Sequence, residues 1–318
     1  MNHENRNIHI NDVTYIIETK DLCKVYQNHS VVNNLNLHIP KGQIYALLGR
    51  NGAGKTTTMK MLLNLVQPSS GKIFLFGENS SNFNKKNYYR IGSMIEAPAF
   101  YENLTAKENL EILARLRGRH RKDTIEYALS IVNLEKEHKK LFREYSLGMK
   151  QRLGLAAAIM HEPELLILDE PMNGLDPIGI YETRNYLLQL CKEKGTTILI
   201  SSHILNEIEQ IADVIGVIEK GKLLEETDLQ KLYQHRRRYA EFEVSDVKKA
   251  ALILEHFFYI SDYTIIGNSL LRLYEKIDSR ADINRHFVKE GLAVANISVH
   301  TGKLEDYFTE LVGGDEIG

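Results

Sequence analysis

The stretch Gly49-Arg50-Asn51-Gly52-Ala53-Gly54-Lys55-Thr56 constrains the chain most, because the spacing G-x-x-x-x-G-K-[ST] functions only between a strand and a helix. That context is present. Apolar alternation over Gln43 to Leu48 predicts a strand, and Lys55 to Val66 reads as a helix. Small residues let successive backbone N–H groups turn inward on an anion, and the helix start adds its positive dipole end. Lys55 is then expected at the β- and γ-phosphates of ATP, and the Thr56 hydroxyl on Mg²⁺. Gly49, Arg50, Asn51, Gly52, Ala53, Gly54 and Thr57 are expected around the phosphates.

A second element supplies what a phosphate loop lacks. Leu165-Leu166-Ile167-Leu168-Asp169-Glu170 is an apolar strand ending in two acids. Such a strand carries both carboxylates to the mouth of a sheet, Asp169 to hold Mg²⁺ and Glu170 to polarise an attacking water. Together the two elements predict an ATP hydrolase.

The remaining pattern predicts an α/β fold. Beyond Ser146, helix, strand, helix and strand alternate: Ser146 to Met160, Leu165 to Asp169, Pro177 to Lys194, Thr196 to Ser202. This implies a largely parallel sheet covered by helices. Upstream, strands are expected at Tyr15 to Glu18, Val32 to Ile39, Lys72 to Phe76 and Ile91 to Ile95. One helical stretch is expected from Thr105 to about Leu134, opened by a Thr105/Glu108 capping box. A helix over His203 to Ala212 and a strand and turn over Val214 to Lys222 follow. After a charged segment ending in Arg236-Arg237-Arg238, read as a solvated linker face, the order becomes strand-helix-strand-strand-helix-strand, with a helix at Leu304 to Leu311. That is the split βαβ order of a ferredoxin-like α+β domain. The expected division is therefore a polar extension (1–13), a nucleotide-binding domain (14–228), a linker (229–239) and an accessory domain (240–318).

Bulk properties narrow the setting. With 318 residues, two domains are comfortable, and a formal net charge of -2 gives no general attraction to nucleic acid. Cys23 and Cys191 lack metal-type spacing and are expected to be reduced thiols. No apolar run is long enough to span a membrane, and the polar start lacks a secretory h-region. A cytoplasmic protein reaching a membrane only through a partner is expected.

A third motif, Tyr145-Ser146-Leu147-Gly148-Met149-Lys150-Gln151-Arg152, places a serine and a glycine at another helix start. One nucleotide does not need two such starts in one subunit, so a head-to-tail dimer is the economical explanation. Here the chain resembles the ATP-binding cassette family, whose signature reads L-S-G-G-Q, in order from about Tyr15 to Glu226. The resemblance implies a P-loop cassette with a mixed sheet and a helical subdomain. It further implies that Tyr26 stacks on adenine, that Asn173-Gly174-Leu175-Asp176 is the D-loop with Asp176 at the nucleotide, and that His203 contacts the γ-phosphate. Ser146 and Gly148 would serve the nucleotide of the other copy.

The departures from the family pattern are informative. Leu147 and Met149 replace a glycine and a glutamine of the signature. In Ile91-Gly92-Ser93-Met94-Ile95-Glu96-Ala97-Pro98, Glu96 stands where most cassettes carry glutamine. This resembles the E-loop of transporters conferring lantibiotic immunity and bacitracin resistance, as do the following Pro98 to Thr105 and the ending Lys303 to Phe308. Glu96 is accordingly expected at Mg²⁺ or the attacking water. The implied protein is the ATP-hydrolysing subunit of a bacterial exporter of antimicrobial peptides, peripheral on the inner face of the membrane. Separate transmembrane permease subunits would dock near Glu96 to Tyr101. A soluble cassette acting on ribosomes or DNA, or an exporter of ions or drugs, is the alternative; the fused cassettes and coiled coil of the soluble relatives are missing.

Overall fold

The computed structural model describes residues 14–96, 98–118, 122–137, 139–235, 238–301 and 304–312. The expected extension Met1 to Val13, with Ala97, Arg236, Arg237 and Lys303, lies outside them. The chain forms two compact units, Met1–Leu229 and Gln230–Gly318.

In the first unit the antiparallel elements come first: β1 (Tyr15–Tyr26), β2 (His29–Leu35) and β3 (His38–Pro40). Then follow β4 (Ile44–Leu48), α1 (Lys55–Leu62), β5 (Ser70–Leu75), β6 (Glu78–Asn79), α2 (Lys85–Tyr88) and β7 (Ile91–Met94). Three helices, α3 (Ala106–Leu116), α4 (Lys122–Ile131) and α5 (Leu147–Ile159), precede β8 (Leu165–Asp169). The unit closes with α6 (Pro177–Lys194), β9 (Thr197–Ser202), α7 (Leu205–Ile208), β10 (Val214–Glu219) and β11 (Lys222–Asp228). The main sheet runs β11-β10-β4-β9-β8-β7, parallel except for β11. Its middle strands are mostly apolar because both faces are covered: every residue of β4 and β8 is buried, the terminal Asp169 included. A second, antiparallel sheet runs β2-β1-β5-β6, with β3 also paired to β1. One core joins Ile17, Leu35 and Leu75 of that sheet to Met59 and Leu62 of α1 and to Tyr45, Leu47 and Ile167 of the parallel sheet. Each fully buried side chain of this kind contributes about 1.5–3 kcal/mol.

Register places the site. Leu48 pairs with Ser202 and Asp169 with Ser201, so β4, β8 and β9 end within one residue of each other. Gly49, Glu170 and His203 each follow one of these ends, on the carboxyl edge where open α/β sheets bind ligands.

Local physics altered several expected elements. The strand expected at Tyr15 to Glu18 extends to Tyr26, and the one at Val32 to Ile39 divides into β2 and β3. These pair with opposite halves of β1. The break is satisfied by the buried Thr19 hydroxyl, which donates to the Leu35 carbonyl and accepts from the Leu37 N–H, both at 2.8 Å. The capping box forms at Thr105, but the expected long helix stops at Arg117. Gly118 follows with φ +68°, the left-handed conformation that ends helices, and α4 begins anew at Lys122. The helix expected from His203 shrinks to α7, because the Ser202 hydroxyl takes the Ile204 N–H at 2.9 Å and leaves His203 outside. The expected linker is mostly ordered structure. Leu229–His235 forms α8, and Arg238 and Tyr239 already pair with Thr301 and His300 in the second unit's sheet.

That second unit contains β12 (Arg238–Val244), α9 (Val247–Phe258), β13 (Tyr263–Ile266), β14 (Leu270–Leu273), α10 (Arg280–Lys289), β15 (Val294–Thr301) and α11 (Leu304–Val312). Its sheet runs β13-β14-β12-β15, antiparallel at every pairing. Phe242 of β12 meets Phe287 of α10 edge-on at 5.5 Å within a core that includes Leu254, Leu271 and Ile283.

Helix α5 lies against β7 so closely that a Cβ on Gly92 would stand 2.1 Å from the Ala158 carbonyl oxygen. Backbone cannot yield as a side-chain tip does. Gly92→Ala is expected to destabilise the protein by about 1–3 kcal/mol, read as a fall in melting temperature of several degrees. An unchanged melting temperature would show that the two elements separate freely.

Candidate functional site

The loop after β4 is shaped by close approach. A Cβ on Gly49 would lie 2.4 Å from the Ile218 carbonyl oxygen, and one on Gly54 (φ +108°) 2.8 Å from that of Val31. Only glycine fits such positions. Asn51 and Gly52 are exposed at the crest, while Ala53, Gly54 and Lys55 are buried; Arg50, Thr56 and Thr57 are half-buried. Lys55 is 6% exposed, and its ammonium donates to the carbonyls of Gly49 (2.6 Å) and Arg50 (3.2 Å). Burial draws its pKa below the usual lysine range, opposed by the carboxylates of Glu170, Asp169 and Glu219.

Beside it, the Thr56 hydroxyl donates to Asp169 Oδ2 at 2.7 Å. The Ser201 hydroxyl donates to Asp169 Oδ1 at 2.5 Å and accepts the Glu170 N–H at 3.0 Å. Glu170 stands at φ +47°, a left-handed conformation that costs a side-chain-bearing residue about 1–2 kcal/mol. The turn aims its carboxylate at the loop: Oε1 lies 4.0 Å from the Lys55 ammonium and Oε2 3.0 Å from His203 Nδ1. Asn173 Nδ2 donates to Oε2 at 3.5 Å, and Gln151 Nε2 to the Glu170 carbonyl at 3.3 Å.

Lys55, Thr56, Asp169, Glu170 and His203, expected together from sequence, thus form one connected group. The other candidates stand apart from it. Tyr26 ends β1 at a two-residue hairpin turn, 44% exposed, with the Lys24 ammonium 4.7 Å from its ring centroid. Ser146 and Asp176 cap their own helices, accepting the N–H of Met149 (3.3 Å) and Gly179 (3.0 Å). Gly148 faces Gly174 and Leu175. Glu96 has φ +60°, and its carboxylate pairs with Lys60 at 2.5 Å, where sequence placed it at the metal or the water. No sequence signal pairs Glu96 with Lys60, which stands 36 positions away on α1. Ser201 and Gln151 were also missed as contributors. Gln151 lay within a quoted motif, whereas Ser201 acquires its role only through the β8–β9 register. Asn109 was missed too: 2% exposed, it accepts the Tyr101 N–H at 2.8 Å and donates to the Tyr101 carbonyl at 3.1 Å, tying the segment after Glu96 to α3.

An anion-shaped loop over a buried lysine, with a paired hydroxyl and carboxylate at adjoining strand ends, defines the class of P-loop ATPases. Comparison with known proteins gives the family. Residues 32–173 match the model described as ABC transporter. The bacitracin transport ATP-binding protein BcrA of Enterococcus faecalis is 55% identical over 303 residues, spanning 95% of this chain and 98% of that protein. The lantibiotic transport ATP-binding protein SrtF of Streptococcus pyogenes is 45% identical, spanning 67% of this chain and 91% of that protein. A solved ATP-binding subunit of an ABC transporter superposes with a TM-score of 0.63 at 30% identity, covering 69% of this chain and 92% of that one. The chain belongs to the ABC transporter family as an ATP-binding subunit, and it is an ATPase. Among the described residues no helix is long and apolar enough to cross a membrane.

Ser201 is wholly buried. In Ser201→Ala the Glu170 N–H and one Asp169 oxygen lose their partner, a change expected to cost about 1–3 kcal/mol in urea unfolding. A stability equal to wild type would mean that another donor or a water replaces the hydroxyl.

Proposed function

We propose that this chain powers the export of peptide antibiotics of the bacitracin type, as a homodimer bound to separate permease subunits at the cytoplasmic face of the membrane. The observation that carries the reading is the 55% identity to the bacitracin transport protein, which runs through both units where the lantibiotic relative spans 67% of the chain. The segment after Glu96 supports a docked partner. Ala99, Phe100 and Tyr101 line an apolar groove of about 380 Å³ together with Ile112, Leu113 and the exposed Leu116.

In this reading ATP lies on Gly49 to Thr57, with adenine against the exposed part of the Tyr26 ring. The Thr56 hydroxyl and Asp169 carboxylate, 2.7 Å apart, are hard oxygen donors of the kind Mg²⁺ takes. The ion would neutralise charge on the phosphate oxygens, and Glu96 is the further candidate to face it. Lys55 offers a dehydrated positive charge to the phosphates. Glu170, oriented by His203 and Asn173, accepts the proton of the attacking water, and His203 turns from Glu170 to the γ-phosphate. The partner copy supplies Ser146 and Gly148.

Glu170→Gln removes the base but keeps the shape. Turnover should fall about 10²- to 10⁴-fold, with ATP still bound and an ATP-dependent dimer accumulating on size-exclusion chromatography. A mutant that hydrolyses ATP at the wild-type rate would place the base elsewhere.

Deleting the chain from its host should lower the inhibitory concentration of bacitracin, with rescue by wild type and not by Glu170→Gln. A tagged copy drawn from mild detergent should bring a polytopic membrane protein. Unchanged bacitracin sensitivity, or recovery of ribosomes alone, would sink the assignment while leaving the ATPase site intact.

A further inference from the structure

We propose that Lys60 is a positioning residue for Glu96: it holds the carboxylate one helical turn from Thr56 and offsets its charge, so that a triphosphate can bind beside an acid. The inference rests on the reading of Thr56 and Asp169 as the metal-holding pair.

Thr56 and Lys60 are four residues apart on α1, so they share one face, about 6 Å apart along the axis. Both are half-buried, between the buried Lys55 and the buried Met59 and Met61. The Lys60 ammonium meets Glu96 Oε1 at 2.5 Å, with side-chain exposures of 28% and 62%. The carboxylate therefore rests next to the helix face that presents the Thr56 hydroxyl.

The chain on either side of Glu96 is pinned. Met94 ends β7, and both Met94 and Pro98 press on α5, where a Cβ on Gly154 would lie 2.8 Å from Met94 Sδ and 2.5 Å from Pro98 Cγ. Between these anchors Glu96 takes the left-handed conformation, φ +60°.

An acid near a triphosphate repels it, and a neutral glutamine would not need a cation at this point. Lys60 supplies that cation. An exposed ion pair is weak, which suits a contact that must open when the carboxylate turns toward the nucleotide.

The test measures the dissociation constant of a fluorescent ATP analogue, without metal and with increasing Mg²⁺, for wild type, Lys60→Met, Lys60→Arg, Glu96→Gln and the Lys60→Met/Glu96→Gln pair. Lys60→Met should weaken metal-free binding about three- to tenfold at low salt, and the loss should vanish near 1 M salt. Lys60→Arg should restore it. In the Glu96→Gln background, Lys60→Met should lose clearly less, since there is no carboxylate left for Lys60 to hold. An equal loss in that background would make Lys60 a direct nucleotide contact and overturn the proposal, as would no loss at all. Thr56→Val is included as a control on the underlying reading. An unchanged Mg²⁺ dependence there would move the metal off Thr56, a failure separable from any result at Lys60.

Discussion

A nearly dry ammonium is the constraint around which the site is arranged. Lys55 is 6% exposed, and a buried cation without partners is costly. Carbonyls of its own loop and carboxylates beyond it answer that cost, yet the pKa remains lowered because desolvation outweighs them. Glu170 at 4.0 Å stands outside direct hydrogen-bonding range. The charge is thus held in a pocket where Gly49 and Gly54 admit no side chain, with less compensation than it could use. A phosphate entering there meets donors already in place, which is electrostatic preorganisation in its plainest form.

The two consecutive acids are given different work by backbone geometry. Asp169 is the last residue of a buried strand, and its two oxygens are taken by Thr56 and Ser201. Regular alternation would send Glu170 to the opposite face of the sheet. The left-handed turn at φ +47° breaks the alternation and brings it round to Lys55 and His203. Ser201 makes the turn tolerable by taking the Glu170 N–H, so a single buried hydroxyl secures the side chain of one acid and the backbone of the next. Strain stored beside a catalytic group is affordable only when its neighbours determine it this fully.

What was legible in the sequence was local. The glycines of the loop, the strand running into Asp169, and the capping box at Thr105 each carry their reason within a few residues and form as read, whereas the caps that Ser146 and Asp176 make on their own helices are seen only in the structure. The features that escaped depend on register or on a single backbone angle. Ser201 looks like any strand serine until β9 is aligned with β8. The Thr19 hydroxyl that divides β2 from β3 acts across sixteen residues. Gly118 sat inside a helical pattern, and only its positive φ shows that the helix ends there. Glu96 was recognisable as a departure, but its partner on α1 is 36 positions away.

Helix α5 shows why these parts form one machine. Ser146 caps its start, and Leu147, the first residue of the helix, reaches Gly174 so closely that a Cβ there would lie 2.6 Å from Leu147 Cδ2. One turn on, Gln151 holds the carbonyl of Glu170. Further along, Gly154 takes the weight of Met94 and Pro98 on either side of Glu96. Packed interiors transmit small displacements because they cannot compress. A shift of this helix therefore moves the Ser146 end, the turn before Asp176 and the loop carrying Glu96 together. Leu147, though 63% exposed, lays its side chain against Gly174, a contact that the glycine of the family signature could not make.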